Sequence, residues 1–142
     1  KCWYKILTRE SRMNIRTWDC DYPQDLGFEL PPQEAVEINK EAYRMVSKEQ
    51  PDIDDFLASF KDPRQKNYLH CRERVEFYAT SFFNSLDKAQ YMLNLRPHAF
   101  KGKFIAVGMI KPEYGKGIEN HNTGHISMWL YKNIFPTGFV RV

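Results

Sequence analysis

The sequence predicts an α+β fold: a single domain with a bent or split, mostly antiparallel sheet flanked by helices. Three observations predict it. Apolar residues alternate with polar ones in "RVEFYAT" (74–80), apolar stripes at helical spacing run through 31–63 and 84–93, and 142 residues suit one substantial core. No repeat, low-complexity tract or linker divides residues 1–142.

The elements follow in order. "CWYKILT" (2–8) mixes aromatic and β-branched residues and reads as a first strand. Gly27, Pro31 and Pro32 punctuate a long irregular connection after it. In "PPQEAVEINKEAYRMVSKEQ" (31–50), Ala35, Ile38, Ala42 and Val46 fall on one stripe, which predicts a helix opened by Pro32 and Glu34. A second helix is expected over 51–63. Asp52 is its N-cap, Ile53, Phe56, Leu57 and Phe60 are its apolar face, and Pro63 is its stop. Asp52, Asp54 and Asp55 sit where a helix start favours negative charge, so they read as capping residues rather than a metal cluster.

Val75, Phe77 and Ala79 face one way and Glu76, Tyr78 and Thr80 the other, the pattern of a half-buried strand. Asn84 or Ser85 then caps a helix striped by Leu86, Ala89, Met92 and Leu93, and Pro97 ends it. "KFIAVGMIK" (103–111) is apolar on both faces and predicts a central strand. The glycine-rich stretch 112–124 predicts a turn or flexible loop, "HISMWLYKNI" (125–134) a further strand, and "GFVRV" (138–142) a short last one.

Composition excludes several functions. A net charge of +3 with basic residues scattered among acids gives no nucleic-acid tail, and "KGKFIAVG" (101–108) lacks an exposed aromatic platform for stacking bases. No run of 18 apolar residues occurs, so no membrane span is expected. The chain begins at Lys1 without an apolar leader, as a fragment or a processed form does. Cys2, Cys20 and Cys71 are an odd count without CxxC spacing, which favours reduced thiols and a cytoplasmic setting. Aromatic residues make up 15% of the chain, enough to fill a core and leave a surplus for a pocket or a protein interface.

The chemistry-bearing residues are few. His121 and His125 stand four apart in "HNTGH", but on a loop-to-strand passage, with Asn122 where a metalloprotease helix carries Glu. No third ligand follows at a regular spacing, so no metal is expected. His125-Ile126-Ser127 is a single His-x-Ser unit, whereas a two-histidine phosphoesterase needs two, one His as base and one as acid. His125 remains a candidate site residue because Gly124 delivers it at a strand start. "FYATSFFNSLDKAQ" (77–90) places the hydroxyls of Tyr78, Thr80 and Ser81 at a strand–helix junction. There they either tie off main-chain amides or face a ligand.

"VEFYATSFFNSLDKAQYM" followed by "GKFIAVGMIKPEYGKG" resembles the middle of ADP-ribosyltransferase-like domains, nearest to the small rifampin ADP-ribosyltransferase type, over residues 74–117. The resemblance implies NAD as cofactor, Tyr78 stacked on the nicotinamide ring, and Glu113 as the late carboxylate that stabilises charge on the ribose. It makes "WYKILTRE" (3–10) the opening strand, with Tyr4 and Lys5 where the family presents a His or Arg to the NAD ribose. The expected function is therefore binding of an NAD-like nucleotide by Tyr4, Tyr78, Thr80 and Ser81, with Glu113 and His125 as the catalytic candidates. The competing expectation is a non-catalytic interaction protein, an immunity or accessory factor, whose aromatic surface binds a protein partner.

Overall fold

The computed structural model describes residues 16–65 and 69–142. The expected strand at 2–8, and with it Tyr4, lies outside the described residues.

Among the described residues, six strands form one antiparallel sheet: β1 (Lys40–Val46), β2 (Thr80–Phe83), β3 (Phe104–Ile110), β4 (Gly115–Asn120), β5 (His125–Leu130) and β6 (Val140–Arg141), in the spatial order β4-β5-β2-β1-β3-β6. One α-helix, α1 (Leu86–Leu95), and five short 3₁₀ turns complete the described residues. The α+β class and the antiparallel sheet are as expected. All these strands belong to one sheet, whose pairing thins to a parting between β1 and β2. β1 meets β3 in register over seven residue pairs, from Lys40↔Ile110 to Val46↔Phe104, but meets β2 only at Tyr43↔Phe83.

Arg44 fills the parting. Its Nη1 donates to the Ser81 carbonyl (2.7 Å), its Nε donates to the Asp55 carbonyl (2.7 Å), and its guanidinium lies against the rings of Phe56 and Phe82. This side chain also explains why 51–63 is not the expected helix. In an α-helix the Asp55 carbonyl would accept from the amide of Ser59. Here Arg44 occupies that carbonyl and the Ser59 amide donates to Ala79 instead (3.3 Å), so the segment breaks into two 3₁₀ turns, Ile53–Phe56 and Ser59–Lys61. Asp52 does cap the first, accepting from the amide of Asp54.

The helix expected over 31–50 is likewise corrected: its second half is β1. Residues four apart share a face at a period of 3.6 and at a period of 2 alike, so Ile38, Ala42 and Val46 fit both readings. Arg44 shares their face and breaks the apolar run that would have marked a strand. The expected strand at 74–80 is a 3₁₀ turn over Val75–Tyr78, and pairing starts at Thr80. Phe77 and Tyr78 both pack into one aromatic cluster, which a strand would forbid to neighbours.

The expected flexible loop at 112–124 instead holds a 3₁₀ turn, Pro112–Tyr114, and the whole of β4. Gly117 is a packing glycine, because a Cβ there would strike the Met128 sulfur and Ile38 Cδ1. Gly124 does turn, at φ 74°. α1 matches expectation, with Ser85 Oγ accepting from the amide of Lys88 and Arg96 as C-cap just before Pro97. β3, β5 and β6 also appear where expected, although among the described residues only the two of β6 pair with the outer side of β3.

Register assigns side chains to two faces. Ala42, Val46, Phe82, Ala106, Ile110, Ile126 and Met128 form the main core on one face, closed by Phe56 and Phe139. On the other, Met45, Phe83 and Ile105 pack under Ala89, Met92 and Leu93 of α1. Beside them Trp129 and Ala79 join Tyr22 and Tyr78 in an aromatic cluster.

Candidate ligand-binding cleft

The cleft opens where the sheet leaves space beside the broken turns. It measures about 390 Å³ and is walled by the rings of Tyr22, Phe56, Phe60, Tyr78 and Tyr131, with Thr80 and Met128 among its lining. Three of these rings continue one another: Phe60 lies 5.2 Å from Tyr78 and 5.9 Å from Tyr22 between centroids. Trp18 stacks on Tyr131 at 4.5 Å.

Its charged lining is Asp19, Asp21, Lys61 and Lys132. Lys61 Nζ lies 2.5 Å from Asp19 Oδ2 and 2.9 Å from Asp21 Oδ2. Burial pulls the Lys61 ammonium down, but its bonds to the two aspartates together outweigh burial and hold it above the ordinary lysine value. The same ammonium holds Asp21 below the usual carboxylate range. Burial pushes the Tyr22 phenol well above its normal value, helped by the negative charge of Asp19, so it stays a neutral wall.

Among the described residues, Asp19, Cys20 and Asp21 form a group whose ligating atoms all lie within 4.8 Å of one another. Lys61 already provides their cation, and Cys20 is disulfide-bonded, which removes its thiolate. The disulfide corrects the expectation of reduced thiols, while Cys71 is a free thiol.

The structure divides the residues that the sequence singled out. Tyr78 and Thr80 line the cleft, both only 2% exposed, with their hydroxyls committed to the protein. Tyr78 Oη donates to the Arg72 carbonyl and Thr80 Oγ1 to the Phe56 carbonyl, each at 2.8 Å. Ser81 follows Thr80 in β2 and so faces the opposite side of the sheet, where it pairs with Ser127. His125, paired with Phe83, lies on that side too, its ring edge-on to Phe83 and its Nδ1 3.4 Å from Ser127 Oγ. Neither Ser81 nor His125 is among the residues that line the cleft, so the four residues do not meet in one hollow. Burial lowers the His125 pKa, partly opposed by the charge of Glu76. Glu113 is exposed in the turn before β4 and lines no part of the cleft.

His121 and His125 of "HNTGH" also part. His121 is exposed in the β4–β5 turn, 3.7 Å from Glu119. Sequence reasoning missed Asp19, Asp21, Tyr22 and Lys61. The stretch "WDCDY" (18–22), acids and rings around a cysteine, was the available signal. Comparison with protein-family models, curated proteins and solved structures finds no match to this chain. No helix among the described residues is long and apolar enough to cross a membrane.

Proposed function

We propose that this domain binds a nucleotide of the NAD type in the cleft beside Tyr78. The observation that carries the reading is the lining itself: five rings around about 390 Å³, with two lysines and two aspartates among them. That volume is within the ordinary range for small-molecule sites. Rings take the flat base, ammonium groups favour phosphate, and carboxylates accept from ribose hydroxyls. We assign binding and no bond-breaking step. Glu113 and His125 lie away from the cleft, and the aspartates that do line it are held by Lys61. For its setting, the disulfide at Cys20 favours an oxidising compartment over the cytoplasm.

A thermal-shift series with NAD, AMP and nicotinamide tests this reading, because a ligand selective for the folded state raises the melting temperature by mass action. NAD and at least one of its halves should raise it. Ala58→Trp, which places an indole among the lining residues, should abolish the rise while the variant remains folded. No rise at millimolar NAD would end the proposal. A second reading, a non-catalytic protein-interaction module, draws support from Tyr91 and Leu95, 64% and 56% exposed one turn apart on α1. A melting rise from a protein partner, with none from nucleotides, would favour it.

A further inference from the structure

A second hollow, of about 440 Å³, runs along the outer edge of β4 between residues 34–40 and 117–121. Among the described residues, β4 is the last strand of the sheet on this side. Gly117 exchanges both main-chain bonds with Val36, at 2.8 and 2.9 Å, which turns the main chain of Gly115, Gly117 and Glu119 outward. Glu119 has no main-chain partner on that edge among the described residues. Its carboxylate is already satisfied: Lys40 Nζ donates to both oxygens, at 3.0 and 2.8 Å, and Asn84 Nδ2 to one at 2.8 Å. The unspent charge is elsewhere. Glu34 and Glu37 line the hollow, are exposed, and form no ion pair among the described residues, although the chain as a whole carries +3. Val36 lies between them, 58% exposed.

We infer that this edge is an interaction surface for an arginine-bearing extended segment of a protein partner. The match is one of charge and main chain together. A guanidinium meets the carboxylates of Glu34 and Glu37, the segment's backbone meets the free N–H and C=O of Glu119, and an apolar neighbour covers Val36. Arginine fits better than lysine because its planar fork of donors pairs with a carboxylate through two parallel bonds. The surface is separate from the cleft and stands whether or not the cleft takes a nucleotide.

The test is a ¹⁵N–¹H correlation titration of the whole chain with a blocked hexapeptide alternating valine and arginine. Shifts should concentrate at 34–40 and 117–121, and the glutamate version of the peptide should produce none. Reversing both charges, Glu34→Lys with Glu37→Lys, should weaken binding about tenfold or more, with the spectrum otherwise intact because both side chains are exposed. Shifts spread over the surface, equal shifts from the glutamate peptide, or unchanged affinity in the double variant would overturn the inference. So would the same shifts from calcium chloride alone, which would make the hollow a cation site.

Discussion

Arg44 shows how one side chain can set local structure on three elements. It sits on β1, ties the Asp55 carbonyl of the first 3₁₀ turn, and ties the Ser81 carbonyl of β2 across the parting of the sheet. Burial lowers its pKa to about 10, with Asp62 and Asp55 acting the other way, so it stays charged at neutral pH. Arg44→Met should cost about 2 kcal/mol in urea unfolding, because two carbonyls lose their donors. Arg44→Lys should not restore it, since one ammonium cannot span both carbonyls. His125 gives a prediction in pH. Its folded value is depressed below the ordinary 6.5, mainly by burial, so below that value the unfolded chain binds more protons than the folded one. Stability should therefore be complete above about pH 6.5 and fall with acidification toward the folded value. The melting temperature of the wild type should drop between about pH 7.5 and pH 5.5, and His125→Gln should flatten that drop. Asp21 and Glu119, whose carboxylates are held low, lose their contribution only in a more acid window.

At the scale of elements, α1 is the clearest case of local signals that agree. Ser85 caps it, its apolar stripe meets Met45, Phe83 and Ile105, and Arg96 closes it before Pro97. Ser85→Ala should cost about 1 kcal/mol, read as a shift in the denaturation midpoint with an unchanged slope. α1 was legible because cap, period and stop coincide within the segment. β1 was not, since the spacing of Ile38, Ala42 and Val46 is shared by helix and strand, and only the partner strand β3 decides between them. The break in 51–63 was hidden for a related reason: its cause is a guanidinium that arrives from β1. β4 was hidden by its glycines, which read as flexibility when Gly117 in fact clears space for Met128 and Ile38.

For the whole molecule, the sheet's two faces decide what the candidate residues can do together. Tyr78 and Thr80 line the cleft, Ser81 and His125 belong to the face under α1, and Glu113 sits in an exposed turn. Half of the candidate cleft's wall was legible, because Tyr78 and Thr80 flank the β2 start and line it, although their hydroxyls bond to main-chain carbonyls. The other half depends on which residues 18–22 and 58–61 meet, and that pairing of distant segments, Lys61 with Asp19 and Asp21, leaves no local pattern. The most direct measurement is an NMR titration of NAD into protein carrying labelled Ile, Leu and Met methyl groups. Those of Ile53, Leu57, Met128 and Leu130 line the cleft, while those of Met92 and Ile105 lie on the α1 side of the sheet. Saturable shifts, and contacts to NAD ring protons, are expected in the first group with the second unmoved. Methyl signals of the cleft that stay in place at millimolar NAD, or shifts centred on the α1 side, would contradict NAD binding in the cleft.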